Sequence, residues 1–289
     1  MYAKKSLGQN FLKSDKAVRE IIEAGELSKN DTVLEIGPGM GVLTEKLLTS
    51  GANVIAIEKD DRLVIPLSIK FEKEIKTGQF VLVHGDVLDF VGKDKMLPSL
   101  EKLLNKQDYK LIANIPYYIT GEIIERFHTI PNQPQTIVLL VQKEVAQRII
   151  AKPLINKAKK DHIKDNQSNP AYAKLQQGKE SILSVAVKIY GEPKLISIVP
   201  RGAFAPAPNV DSAILAIKNI KHFGNPKQEK EFFDLLHSAF SHKRKYMLSN
   251  IKSMSANVQK KVKDVLLKNN YPDSIRAEDL PITIWREML

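Results

Sequence analysis

The chain has no cysteine among its 289 residues. Structural disulfides and thiolate-bound metals are excluded, and the composition is compatible with a reducing compartment. Its six histidines, at positions 84, 128, 162, 222, 237 and 242, show no paired ligand spacing, so no metal is expected. Long apolar runs are also missing. The stretch from Thr136 to Val141 has the length of a buried strand and falls far short of a membrane span. The N-terminus is polar and basic, without the apolar core of a signal peptide, and a cytoplasmic location is expected. Tryptophan occurs once, at 285, where an isolated aromatic reads as the packing anchor of a small helical core. There is no internal repeat, heptad run or low-complexity tract.

What the chain does carry is positive charge, and it is unevenly spread. The formal net charge is +11. Residues 1–141 hold 18 basic and 19 acidic side chains, whereas 142–201 hold 12 against 5 and 225–289 hold 12 against 8. A near-neutral first half followed by a basic remainder fits a ligand pocket beside a phosphate-binding surface. A generally lysine-rich surface would spread the excess more evenly.

The first half reads as alternating strands and helices. Thr32 to Ile36 is a short β-rich run followed at once by Gly37-Pro38-Gly39-Met40-Gly41, and Val42 to Leu48 reads as a helix. Strand, glycine turn and helix present free backbone N–H groups to a ligand, and the glycines allow close approach. The spacing is G-x-G-x-G, not the G-x-G-x-x-G of dinucleotide folds. Glu58 ends the next strand, seventeen residues beyond Gly41, where a carboxylate can grip ribose hydroxyls. Asp86 follows a third strand, Phe80 to His84. Taken singly, each acid is as well read as a loop carboxylate or a helix N-cap.

A fourth strand, Lys110 to Ala113, runs into Asn114-Ile115-Pro116-Tyr117. This tetrapeptide suits methylation of an amine that is a poor nucleophile. The amide oxygen of Asn114 and the carbonyl of Ile115 can each accept one N–H of an aromatic amine. Pro116 fixes the backbone, and Tyr117 offers a flat face to an extruded base. The plainer reading is a strand ending in a proline turn with a half-buried tyrosine. Four successive strands, each ending in a plausible ligand group, favour the chemical one, because ligands of open α/β sheets gather at the carboxyl ends of the strands.

With these residues in place, the chain resembles the ribosomal RNA adenine N6-dimethyltransferases, and most closely the bacterial small-subunit (16S) dimethyladenosine transferases. The similarity lies in Lys4-Lys5-Ser6-Leu7-Gly8-Gln9-Asn10-Phe11-Leu12, in Glu35 to Thr44, in Val141 to Arg148 and in Phe204 to Ser212, in that order along the whole chain. The resemblance implies an α/β fold: a Rossmann-like methyltransferase dependent on S-adenosylmethionine, with a seven-stranded, mostly parallel sheet and a small all-α C-terminal domain. Residues 1–224 would form the methyltransferase domain, with an N-terminal arm at 1–13, and 225–289 a helical RNA-binding domain. By the same resemblance Asn10, Leu12 and the glycines Gly37, Gly39 and Gly41 would surround the cofactor. Glu58 would hold its ribose, Asp86 its adenine, and Asn114 would lie near the transferred methyl. Phe204 would close the face of the target base opposite Tyr117; otherwise it is a core phenylalanine.

RNA contact is expected from Lys243, Arg244 and Lys245, which follow an apolar helical pattern, and from Arg148. A polar stretch of about 153–178 departs from the family as an insertion. It reads as a solvated loop or as an RNA-ordered arm using Lys157, Lys159 and Lys160. The implied activity is dimethylation of adjacent adenines near the 3′ end of small-subunit rRNA, late in subunit assembly, by a monomer acting on the pre-30S particle. Two alternatives remain: a large-subunit (23S) rRNA methyltransferase conferring macrolide resistance, and a non-catalytic assembly factor. Leu7 to Asn10 and Val210 to Ser212 favour the first reading. Ile115 and Thr120-Gly121-Glu122 do not.

Overall fold

A computed structural model describes residues 4, 7–92, 95–104, 108–153 and 177–289. The chain forms two compact units, residues 1–146 with 190–222 and residues 147–189 with 223–289.

The first unit is built on a seven-stranded sheet. In chain order its strands are β2 (Thr32–Ile36), β3 (Asn53–Glu58), β4 (Phe80–His84), β5 (Tyr109–Ala113), β6 (Thr136–Gln142), β7 (Glu192–Val199) and β9 (Ser212–Lys218). A two-stranded ribbon pairs β1 (Phe11–Leu12) with β8 (Phe204–Ala205). The sheet order is β4-β3-β2-β5-β6-β9-β7, and β9 alone runs against its neighbours β6 and β7. β2, β3 and β6 are buried almost throughout, as expected of parallel strands covered on both faces. That is why each reads as a continuous apolar run instead of an alternating one.

Helix Asp15–Gly25 shows how the covering layer is specified. Ala17, Val18, Ile21, Ala24 and Gly25 recur at helical spacing and are buried. Ser14 caps its start by accepting from the Ala17 N–H at 3.2 Å, and Glu26, in the left-handed region at φ 46°, ends it.

Topology then positions the ligand site. The chain passes from β2 outward to β3 and β4, and then crosses back to β5 on the other side of β2. Connections diverge between β2 and β5, and that switch point is where open α/β sheets leave a crevice at their strand ends.

The second unit is helical. Helices Pro226–Ala239, Met247–Asn250, Ala256–Lys268 and Ile282–Glu287 enclose Trp285, which is fully buried. Its ring stacks on Phe240 with centroids 5.8 Å apart and meets Phe232 edge-on at 6.3 Å, so Trp285 is the packing anchor its isolation implied. The unit differs from a single cut at 224/225, because it also takes in 147–189. Helix Ile182–Tyr190 sends Val185 into the same core.

A buried ion pair secures this part of the chain. Lys188 Nζ lies 2.7 and 2.8 Å from the two oxygens of Glu180 and also donates to the Ala151 carbonyl; the Ser184 hydroxyl donates to Glu180 Oε2 at 2.6 Å. Lys152 bridges to Gln177, so the residues flanking 154–176 are held side by side. Lys157, Lys159 and Lys160 lie outside the described residues.

Candidate active site

Four strand ends converge on one cavity. It is walled by Gly37 and Gly39 after β2, Glu58 at the end of β3, Asp86 after β4, and Asn114 to Tyr117 after β5. Residues 7–12 of the N-terminal arm, Asn10 and Leu12 among them, complete the wall. Gly41, expected to surround the cofactor, is not among the residues that line the cavity and lies against Phe71 and Leu67.

The glycines have separate jobs. Gly37 has φ +67°, and a Cβ there would meet nothing within 4 Å, leaving its backbone open to a ligand. Gly41 has φ +73°, and a Cβ there would sit 2.7 Å from Cε2 of the buried Phe71. Gly41→Ala should therefore destabilise the protein by about 2–4 kcal/mol, combining left-handed strain with overpacking. A denaturant midpoint close to that of the parent would contradict this.

Glu58 is buried, and both its oxygens are occupied. Oε2 accepts from the Gly39 N–H at 3.0 Å and Oε1 from the Asp60 N–H at 2.8 Å. Burial raises its pKa despite those two donors. Asp86 caps helix Val87–Phe90, accepting from the Leu88 N–H at 3.0 Å, and pairs with Lys59 Nζ at 2.5 Å. Burial pushes its pKa up, but the Lys59 and Leu88 hydrogen bonds together with the nearby positive charges of Lys59 and Arg126 outweigh this and leave it below the ordinary value. The N-cap reading and the cavity reading of Asp86 thus hold together.

Glu35 was not assigned a role from sequence. It is almost wholly buried, is among the residues lining the cavity, accepts from the Thr44 hydroxyl at 2.7 Å, and burial lifts its pKa to about 8. Its signal was a carboxylate inside an otherwise apolar buried strand.

At the β5 end, Asn114 Nδ2 donates to the Asn10 carbonyl at 3.2 Å. A carbonyl can only accept, so this contact fixes the amide's orientation and leaves Oδ1 as an acceptor. The Tyr117 hydroxyl is 2.6 Å from Ser212 Oγ, which pins the ring. Burial raises the phenol's pKa, so Tyr117 stays neutral and does not serve as a base near pH 7.

Phe204, expected to face the target base, stands apart from this cavity. It is buried in the core of the first unit and does not wall the cavity. Its backbone pairs with Leu12, and Ala203 accepts from the Lys13 N–H at 2.8 Å, so the segment anchors the arm instead. Arg148, Lys243, Arg244 and Lys245 are exposed and belong to the second unit.

This sheet with its cavity defines a Rossmann-like methyltransferase. The family model described as ribosomal RNA adenine dimethylase matches residues 1–160 and 169–281, and the break falls inside the segment read as an insertion. The small subunit rRNA methyltransferase A of Dehalococcoides mccartyi is 36% identical over 99% of this chain and 87% of its own length. That of Fusobacterium nucleatum is 34% identical, covering 99% and 96%. Among solved structures, a Plasmodium falciparum dimethyladenosine transferase aligns with TM-score 0.68 at 24% identity over 96% of each chain. The 23S rRNA methyltransferase ErmE aligns with TM-score 0.68 at 22% identity over 96% and 98%. These two likenesses establish the fold alone. The chain belongs to the ribosomal RNA adenine dimethylase family. S-adenosylmethionine, the cofactor that the family resemblance implies, fits the cavity: an open backbone approach at Gly37 lies beside carboxylates suited to hydroxyl, amine and cationic groups.

Proposed function

We propose that this protein dimethylates the N6 amines of adjacent adenines in small-subunit rRNA, near its 3′ end, during late subunit assembly. The observation that carries the chemistry is the Asn114 amide, fixed by Asn10 with its oxygen free, on the wall shared with Gly37, Glu58 and Asp86. Gly37 and Gly39 offer backbone to the cofactor, Glu58 its ribose contact, Asp86 its adenine contact, and Asn10 and Leu12 the covering arm. When bound, the cofactor supplies an electrophilic methyl on a sulfonium.

Asn114 Oδ1 and the Ile115 carbonyl accept the two N–H bonds of the target amine, holding its lone pair available. Pro116 and the Ser212-pinned Tyr117 keep that backbone and a stacking face in place. The two acceptors would orient the amine toward the methyl group that the bound cofactor would supply, and the nitrogen's surplus proton would pass to water. As positive charge grows on nitrogen, both acceptors bind it more tightly, so their contribution rises toward the transition state.

Lys243, Arg244 and Lys245 would supply phosphate contacts, with Arg148 as a further candidate. The three consecutive residues stand in an exposed run, 241–246, and have no ion-pair partner among the described residues. Asn250 holds this run by donating to the Ala239 and His242 carbonyls at 2.7 and 3.1 Å. Asn250→Ala should loosen the run and weaken RNA binding by roughly tenfold, the worth of about one hydrogen bond. Filter binding at several salt concentrations measures it, and unchanged affinity would remove the run from the interface.

The function is tested by methyl transfer from labelled S-adenosylmethionine to unmethylated small subunits and to unmethylated large-subunit RNA. Dimethyladenosine from the small subunit alone is expected. Label confined to large-subunit RNA would favour the resistance-type reading, and no label in either would favour the assembly-factor reading.

A further inference from the structure

We propose that Gln9, Asp60 and Arg62 form a latch that fastens the N-terminal arm across the cofactor cavity and sets how long the cofactor stays bound. The inference rests on the cofactor reading of that cavity.

Asp60 lies two residues beyond Glu58 and is almost wholly buried, its side chain fully so. Arg62 grips it with two bonds, Nε to Oδ1 at 2.8 Å and a terminal nitrogen to Oδ2 at 2.6 Å. The guanidinium, helped by Gln9, holds this carboxyl well below the usual carboxylate range, so it is charged at any working pH. One bond to that charge comes from the arm: Gln9 Nε2 donates to Asp60 Oδ2 at 2.7 Å. The Gln9 amide cannot turn round, because its oxygen accepts the Lys4 N–H at 2.7 Å.

The same residue reaches the cofactor side. The Asp60 N–H donates to Glu58 Oε1 at 2.8 Å, and Glu58 Oε2 accepts the Gly39 N–H. A continuous chain of bonds therefore runs from the arm through Gln9 and Asp60 to Glu58 and the glycine turn. The arm's other end is fixed by the pairing of Phe11 and Leu12 with Ala205 and Phe204. Between these two attachments the Asn10 carbonyl accepts from Asn114. Releasing Gln9 frees one end of a strap, while the ribbon holds the other. Gln9 itself lines the cavity, and its hold on the arm acts through Asp60.

The test uses the full chain, with binding of S-adenosylmethionine followed by calorimetry and stopped flow and arm mobility by hydrogen exchange. Gln9→Ala should speed cofactor dissociation by about ten- to a hundredfold, the factor one charge-assisted hydrogen bond carries, and raise exchange selectively at the described arm amides. Gln9→Glu should be worse than Gln9→Ala, since its carboxylate would meet that of Asp60; a side chain acting by bulk alone would give the reverse order. Asp60→Asn, at a residue that does not itself line the cavity, should also speed dissociation, and the Gln9→Ala, Asp60→Asn double variant should be no worse than its more affected parent.

Dissociation unchanged in Gln9→Ala, or effects of the two sites that simply multiply, would overturn the latch. So would a fall in melting temperature with no selective change in the arm. Failure of the parent chain itself to bind S-adenosylmethionine would overturn the cofactor reading instead, a separate outcome.

Discussion

Replacing Asn114 with alanine should lower kcat for methyl transfer by about 10²–10³-fold, the usual worth of a preorganised acceptor or donor at a developing charge. Cofactor affinity should change only a few-fold. The reason is geometric. The Asn114 amide spends its N–H on the Asn10 carbonyl, a contact within the protein, and its oxygen is reserved for the reacting amine. The variant removes an acceptor whose value grows along the reaction coordinate, so kcat and kcat/KM for RNA fall together. Asn114→Asp keeps an oxygen but loses the donor to Asn10, so it should retain partial activity and loosen the arm. Single-turnover transfer alongside calorimetric cofactor binding separates the two effects. An equal loss of binding and transfer in Asn114→Ala would assign the residue to the cofactor alone.

The second large effect concerns pH. Glu35 has a folded pKa of about 8 against an ordinary 4.5, because burial disfavours its charged form more than the Thr44 hydroxyl supports it; the neighbouring charge of Glu58 adds to the rise. A carboxyl whose pKa is raised on folding binds more protons folded than unfolded between those two values. Stability is then full at acid pH, declines as pH rises from about 4.5 to about 8, and levels off above. The gap corresponds to at most about 5 kcal/mol. Glu35→Gln keeps an acceptor for Thr44 and removes the titration. Without cofactor, the variant should match the parent near pH 4.5, unfold at higher denaturant above pH 8, and show a flatter profile between. Parallel profiles for the two proteins would place the charge of Glu35 in contact with water or a cation.

Much of the site was legible because the residues that carry it act locally. The glycine turn, the acids after β3 and β4 and the tetrapeptide after β5 each follow a buried apolar run, and the structure puts all four at one cavity. Strand boundaries came through well for the same reason. Parallel strands covered on both faces are mostly apolar, and the glycine or polar residue at or after the end of each run marks where the sheet meets solvent or ligand.

The sequence by itself therefore determined the strands, the groups at their ends and the packing role of Trp285, because period, apolar run length and glycine position are properties of short segments; the mostly parallel sheet followed from the family resemblance. Tertiary structure alone decided the pairings between distant segments. Gln9 meets Asp60 across 51 residues, Tyr117 meets Ser212 across 95, and Asn114 meets Asn10 across 104. Nothing in a short segment encodes such a partner. Phe204 shows the same limit from the other side, since an aromatic before a proline reads alike whether it faces a base or the core. Only the folded structure shows it buried in the core beside the β1–β8 ribbon. Likewise, residues 147–189 join the helical unit because Val185 meets the core around Trp285, and packing of that kind depends on which surfaces three-dimensional folding brings together.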